Sequence, residues 1–377
     1  MRLLICAGGT GGGVYPALAV LKALKGLMVA GSKAKDLPTR QPANLETLWV
    51  GGESGMEAEL VERERIPFDT IPAGGLHGVG LRALPCNLTQ LARGVVASQK
   101  LLRKFRPDVL FFTGGFVAGP MAFAGRNIPT LLFVPDIEPG LALKSLARFA
   151  DCIVVSAADS QKYFSKKVTV TGYPLRTDLE AWTRSDARRT LGLNDDLPVL
   201  LVFGGSKGAH SINLAVLPHL PTLLEMAQVV HITGQSDWET AQSTRAGLTS
   251  GQKRRYHVFP YLHEEMGAAL ASADLVVSRA GASTLGEFPF FGLPAVLVPY
   301  PHAWRYQKVN ADHLAERGAA VIVKDERLQD ELSMVVKDLL DNPSKREAMS
   351  AAMRSLAQPQ AAQNIARQLL ALGGKRL

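Results

Sequence analysis

Two stretches of this chain repeat one design. "LLICAGGTGG", residues 3–12, and "VLLVFGGSKGAHSIN", residues 199–213, each run a short apolar segment into a Gly-Gly turn and then into an apparent helix start. Similar apolar runs recur at Val109–Thr113, Thr130–Val134, Cys152–Val155, Val229–Thr233, Leu275–Ser278 and Ala295–Pro299, separated by longer segments of helical periodicity. Continuous apolar runs alternating with helices are the pattern of parallel strands buried on both faces. The duplicated opening therefore predicts an α/β chain of two Rossmann-like units. A length of 377 residues, beyond the size at which a single core stops growing, agrees with two domains. The linker is expected within 171–198, which mixes Pro, Asp and Arg and lacks a strong strand, and the cleft between the halves is the expected site. Residues 30–46 read as an inserted polar loop, and 373–377 as a frayed end.

Composition narrows the partners. Lys and Arg exceed Asp and Glu by 42 − 34 = 8, which favours phosphates, nucleic acid or an anionic bilayer. Nucleic acid is disfavoured because the basic residues are scattered and no stacking aromatics accompany them. Cys6, Cys86 and Cys152 are widely spaced without a CxxC pair, so neither a disulfide framework nor a zinc site is expected, and a reducing compartment fits. Met1 leads directly into the first strand without a leader pattern, and no run is expected to reach the roughly 18 apolar residues of a spanning helix. Membrane contact, if any, is expected at the surface. Residues 78–107 supply a basic amphipathic stretch with Arg82, Arg93, Lys100, Arg103, Lys104 and Arg106; it suits anionic lipid, or a helix packed on the sheet with a solvated basic edge.

The glycine loops do not match the commonest nucleotide signatures. From Gly9 the last glycine of G-x-G-x-x-G would fall on Val14, and from Gly11 on Pro16; "GGSKGA" carries its lysine before the glycine and lacks the following hydroxyl of a Walker loop. What remains is a helix N-terminus whose free amides face a phosphate or a sugar hydroxyl, or else a tight strand-to-helix turn without a ligand. "SRAGASTLGE", 278–287, follows a predicted strand and sets Glu287 on the first turns of a helix, where a carboxylate suits the two hydroxyls of a ribose; a solvated helix charge is the plainer alternative. "PYPHAWRYQKVNA", 299–311, brings His302, Arg305, Tyr306, Gln307 and Asn310 to another strand exit, as ligand contacts or as helix decoration.

Together these segments, with "GGESGMEAELV" (51–61), "RPDVLFFTGGFVAGP" (106–120) and "GYPLR" (172–176), resemble the MurG-type N-acetylglucosaminyltransferases of glycosyltransferase family 28 over almost the whole chain. The resemblance implies a GT-B fold, two Rossmann-like domains with parallel sheets facing a deep cleft. It implies residues 1–175 as an acceptor and membrane-facing domain and 176–377 as a UDP-sugar-binding domain, the last helix being a candidate to pack back on the first half. The implied reaction is inverting transfer of N-acetylglucosamine from UDP-N-acetylglucosamine to an undecaprenyl-pyrophosphoryl-linked muramoyl-peptide, lipid I to lipid II of peptidoglycan synthesis. The enzyme would be peripheral on the cytoplasmic side of the cell membrane and would need no cofactor. Carried over by position, Ser206 and neighbouring amides would meet the diphosphate, Arg176 the nucleotide and Glu287 the ribose, while Gln307 and Asn213 would contact or order the donor sugar region. Thr10, Gly11 and Gly12 would serve the acceptor side. With no DxD metal motif, departing UDP would rely on Arg176 and the helix start after Gly205.

The chain departs from the family on the acceptor side. Gly13 stands where the family has histidine, Phe116 where it has tyrosine, "FVPD" (133–136) where it has His-Glu-Gln-Asn, and Tyr306 precedes Gln307 in place of a Gln-Gln pair. Asp136 and Glu138 are the candidate general bases, against a plainer role for Asp136 as cap of a helix starting near Pro139. Two alternatives share the donor motifs: a UDP-sugar transferase for another lipid or glycan, and a UDP-sugar-binding protein without turnover.

Overall fold

The computed structural model describes residues 1–8, 11–33, 45–52, 57–73, 84–194, 196–205, 207–302 and 306–374, without the side chains of 11, 30–33 and 84–88. Met1–Leu175 and Pro359–Leu377 form one compact unit, Arg176–Gln358 the other.

The first unit holds a parallel sheet of seven strands: β1 (Arg2–Cys6), β2 (Glu46–Gly52), β3 (Phe68–Ile71), β4 (Val109–Phe112), β5 (Thr130–Val134), β6 (Cys152–Val155) and β7 (Thr169–Val170), in the order β3-β2-β1-β4-β5-β6-β7. The second unit holds six: β8 (Val199–Phe203), β9 (Gln228–Ile232), β10 (Tyr256–Phe259), β11 (Leu275–Ser278), β12 (Ala295–Leu297) and β13 (Ala320–Ile322), ordered β10-β9-β8-β11-β12-β13. The central strands are apolar and buried along their length, as helices on both faces require. In each sheet the order reverses beside the strand that ends in a glycine loop, between β1 and β4 and between β8 and β11. Such switch points are where open α/β sheets bind ligands, beyond the carboxyl ends of the strands.

Several expectations change. The loop expected at 30–46 is instead entered by a helix, Gly11–Lys33, and left by β2, which starts at Glu46. That helix also overturns the expectation that no run could span a membrane: Gly12–Val29 is long and apolar enough by length and composition. Its Val14, Ala17, Val20, Leu21 and Leu24 are buried, and it packs against the last helix, Ala361–Gly373, whose Ile365, Ala366 and Leu369 are buried in turn. The run therefore serves as a core helix of the first unit. Strands β2, β3, β7, β10 and β13 had no clear sequence signal because they are short or carry polar residues.

Candidate functional site

In the first unit the loops after β1 and β4 lie against each other. A Cβ on Gly115, whose φ is +88°, would sit 3.3 Å from the Gly8 nitrogen, and one on Gly8 would sit 2.6 Å from Oε1 of buried Glu57. Part of the glycine density is thus spent on packing loop against loop. Glu57 also accepts from the Gly52 amide at 3.0 Å, a buried role that the sequence pattern did not single out. Gly11 and Gly12 open the helix Gly11–Lys33, and the Gly12 carbonyl accepts from the Tyr173 hydroxyl at 3.4 Å. At Gly13 the neighbour is Thr113, whose hydroxyl donates to the Gly13 carbonyl at 2.8 Å and lies 3.2 Å from where a Cβ would be. Thr10 lies outside the described residues.

The plainer role of Asp136 as a helix cap is corrected: the next helix is Leu141–Leu146, its N-cap is Gly140, and no side chain caps it. Asp136 is half-buried in the bend after β5. Glu138 is buried and paired with Lys144 at 3.4 Å, and Lys144 lies over the Tyr163 ring at 5.1 Å. The two carboxylates differ in kind. Glu138 is held in an internal pair, whereas Asp136 is the more accessible.

In the second unit the loop after β8 turns through Gly205 (φ +97°) and Gly208 (φ +78°) and crosses the loop after β9 at Gly234. A Cβ on Gly208 would fall 2.2 Å from the Thr233 carbonyl, so the crossing excludes any side chain. Ser206 lies outside the described residues. Beyond the loop, Asn213 is buried and committed: its Nδ2 donates to the Thr233 carbonyl at 2.8 Å and to Asp237 Oδ2 at 2.6 Å, and its Oδ1 meets His231 Nε2 at 2.9 Å. His210, the first helical residue, places Nδ1 2.6 Å from Asp237 Oδ1. Asn213 therefore orders the glycine crossing from inside.

Glu287 stands in the first turn of the helix Thr284–Phe291, beside the β8/β11 switch point. Burial raises its carboxyl to about 7, against the opposing pull of a Ser283 hydrogen bond and the Arg176 guanidinium; the Asp178 charge adds to the rise. Arg176 grips Asp178 with both Nε, at 3.1 Å, and Nη2, and reaches the His263 carbonyl at 3.4 Å. The structure thus brings Arg176 and Glu287 into one electrostatic neighbourhood and adds Asp178 and Ser283, which the motif spacing did not reveal. Gln307 Oε1 accepts from the Tyr300 amide at 2.9 Å, tying its helix to the exit of β12. Behind them Arg279 bonds Asp325 and Ser211 and stacks on Tyr300, so this arginine is structural. Asn310 is buried and donates to the Ala280 carbonyl. Among the described residues, no group of three His, Cys, Asp or Glu side chains is placed to hold a metal.

Two parallel Rossmann-like domains with glycine loops at their switch points are the architecture of the GT-B fold. The chain belongs to glycosyltransferase family 28, whose N-terminal domain model matches residues 3–155 and whose C-terminal domain model matches 199–368. It is 40% identical, over 97% of its length and 94% of the relative's, to a UDP-N-acetylglucosamine--N-acetylmuramyl-(pentapeptide) pyrophosphoryl-undecaprenol N-acetylglucosamine transferase of Roseiflexus sp. (strain RS-1). A protein of the same name from Desulforamulus reducens is 38% identical over 97% of both chains. Among solved structures, MurG of Acinetobacter baumannii is similar at TM-score 0.76 and 28% identity, covering 98% of this chain and 99% of that one. A UDP-GlcNAc 2-epimerase from Neisseria meningitidis, at TM-score 0.64 and 14% identity over 98% of this chain and 100% of that one, shares the fold.

Proposed function

We propose that the protein transfers N-acetylglucosamine from UDP-N-acetylglucosamine to the undecaprenyl-pyrophosphoryl-linked N-acetylmuramoyl-peptide, forming lipid II from lipid I. The observation that carries the reading is the Arg176 charge acting on the carboxyl of Glu287 beside the β8/β11 switch point, in a family 28 chain whose relatives bear this activity in their names. Glu287 accepts from the ribose hydroxyls, and Arg176 leaves Asp178 to meet the diphosphate together with Ser206 and the amides after Gly205. Gln307, its Oε1 held by the Tyr300 amide, presents its Nε2 to the donor sugar, while Asn213 fixes the loop behind. The amides at Gly11 and Gly12, at the start of a 23-residue helix, with Thr10, receive the acceptor's phosphates.

In the chemical step Asp136 takes the proton of the acceptor hydroxyl as its oxygen bonds the anomeric carbon from the face opposite UDP. The bond from that carbon to the β-phosphate oxygen breaks, its electrons stay on UDP, and Arg176 with the loop amides balances the new charge. Glu138 acts through Lys144 as a positioning residue. The test is radiolabel transfer from UDP-N-acetylglucosamine to the lipid-linked muramoyl-peptide. The wild-type chain is expected to label the lipid, Asp136→Asn to lower kcat by about 10²–10⁴-fold with KM little changed, and Glu138→Gln to cost far less. An unlabelled lipid rejects the acceptor, and unchanged turnover in Asp136→Asn rejects the base.

We further propose that the first unit rests on an anionic membrane surface. On the helix Leu84–Phe105, Arg93, Val96, Lys100 and Arg103 recur at spacings of three and four and are exposed, while Leu101 and Leu102 pack into the core. Phe116, 63% exposed, and Leu141, 43% exposed, add apolar surface. The protein is expected to float with phosphatidylglycerol vesicles at low salt, and Lys100→Glu/Arg103→Glu to reduce binding by about tenfold or more. Equal flotation of wild type and variant would exclude this face.

A further inference from the structure

In the second unit the loops that leave β8, β11 and β12 each carry a part of the proposed donor site, and the sheet by itself fixes the strands but not their loops. A ring of side chains joins those loops at the exit of β11. Arg279, only 8% exposed, donates from Nη1 to Asp325 Oδ1 at 2.5 Å and to the Val298 carbonyl at 3.2 Å, and from Nη2 to the Ser211 hydroxyl at 2.7 Å. Ser211 in turn donates its own proton to the same Asp325 oxygen at 2.8 Å. A hydroxyl carries one hydrogen, and with Arg279 donating to its oxygen that hydrogen is left for the carboxylate, so donors and acceptors match around the whole ring. Ser211 is the second residue of the helix His210–Val216, three residues past Gly208 of the glycine crossing. Val298 follows β12, and Asp325 opens the turn Asp325–Arg327 after β13.

The ring extends to the sugar side. The Arg279 guanidinium lies over the Tyr300 ring, 5.1 Å from its centroid, and the Tyr300 amide donates to Gln307 Oε1 at 2.9 Å. Gln307 is the residue assigned above to the donor sugar, and the helix that holds Ser211 follows the loop assigned to the diphosphate. A path of direct contacts therefore runs from Ser211 through Arg279 and Tyr300 to Gln307. Burial makes it stiff: the Arg279 side chain is 9% exposed and that of Asp325 20%, so water gives them little in exchange for a lost partner. Removing the Ser211 hydroxyl takes an acceptor from Nη2 and a donor from Asp325, and the guanidinium must re-aim, changing its contact with Tyr300. A ring that only held the fold together would be felt equally by every ligand. One that passes through Tyr300 to Gln307 is felt by the sugar.

We propose that the ring of Ser211, Arg279 and Asp325 couples the two halves of donor recognition, and that Ser211 is a positioning residue for the sugar, acting through Arg279 and Tyr300 on Gln307. The proposal rests on the UDP-sugar reading of the second unit. Calorimetric titration with UDP and with UDP-N-acetylglucosamine, on wild type, Ser211→Ala, Gln307→Ala and the double variant, tests it. The wild type is expected to hold the sugar nucleotide more tightly than UDP. Ser211→Ala should keep UDP affinity within about twofold and weaken UDP-N-acetylglucosamine about 5–10-fold, and the double variant should be no weaker than Gln307→Ala, because the hydroxyl then has nothing left to position. Ser211→Thr, which keeps the hydroxyl, should bind both ligands like wild type. Unchanged binding in Ser211→Ala, losses that add in the double variant, losses equal for the two ligands, or a sugar that adds no affinity in the wild type overturn the coupling and leave UDP binding in place. A wild type that binds neither ligand overturns the UDP-sugar reading and the coupling with it. Ser211→Cys, close in volume but a weak donor, serves if the alanine variant does not fold.

Discussion

Glu287→Gln is expected to weaken UDP binding by about 100-fold at pH 8. In the proposed role the ionised carboxylate would accept two ribose hydroxyls, and hydrogen bonds to a charged group contribute roughly 1.5–3 kcal/mol each, less when they share one acceptor group; about 3 kcal/mol in all is a hundredfold in affinity. Burial has already lifted this carboxyl to about 7, so at neutral pH part of the population is protonated and less able to receive the ribose. Ribose donation favours the ionised form, so binding expels a proton. Affinity of the wild type should therefore rise with pH from about 6 to 8 and level off above the folded-state pKa, while Glu287→Gln shows no such slope. The ligand-free stability moves the other way. A folded pKa raised above the ordinary value of 4.5 means that the folded chain holds more protons than the unfolded one between 4.5 and about 7. The group's contribution is thus intact below 4.5 and lost as pH rises through 7. Glutamine removes that loss, so at pH 8 the variant should be more stable than wild type by roughly 1–3 kcal/mol, discounted for the part of the side chain that solvent reaches. Calorimetric titration and urea denaturation across this pH range measure both. A variant that binds UDP like wild type would remove Glu287 from the site.

Asn213→Leu should unfold the second unit at markedly lower urea, with a cost of about 3–5 kcal/mol. Leucine matches the shape of asparagine, so the loss is polar. The substitution strips partners from the Thr233 carbonyl, from Asp237 and from His231, all of them buried. Hydrogen-bond logic fixes the chain beyond: burial pushes the His231 pKa down to about 4, partly opposed by Asp237, so the ring is neutral. With Nε2–H donating to Asn213 Oδ1, Nδ1 must accept from the Tyr256 hydroxyl at 3.0 Å. A folded histidine depressed below 6.5 stabilises the chain at higher pH and loses that contribution as pH falls toward 4, an acid sensitivity that the variant should alter. Because Thr233 and Gly234 brace the crossing with Gly208, UDP affinity should fall as well. A cost under about 1 kcal/mol would mean that the network is not the brace described here.

The central strands were legible in the sequence because a strand buried on both faces must be apolar throughout. Val199–Phe203, Thr130–Val134 and Leu275–Ser278 stand where the apolar runs put them. The edge strands, and β2 beside one of them, were not. Thr169–Val170 is two residues long, Phe68–Ile71 has two adjacent polar residues at its centre, and Tyr256–Phe259 includes His257, so each is defined by its neighbour's hydrogen bonds and not by its own composition. Motif spacing reached Glu287, and the family resemblance Arg176, but neither reached Asp178 or Ser283, which matter only through where their charges and hydroxyls end up.

By itself the sequence determined the α/β class, the doubled Rossmann-like design, the family and the glycine loops, since each depends on short-range pattern: apolar runs, turn residues and their spacing. Tertiary structure alone decided that Gly12–Val29 is a core helix, that Asn213 is spent internally, and that Glu287 titrates near neutrality. The physical reason is that burial, desolvation and partner choice are set by residues far apart in the chain, which no local pattern encodes.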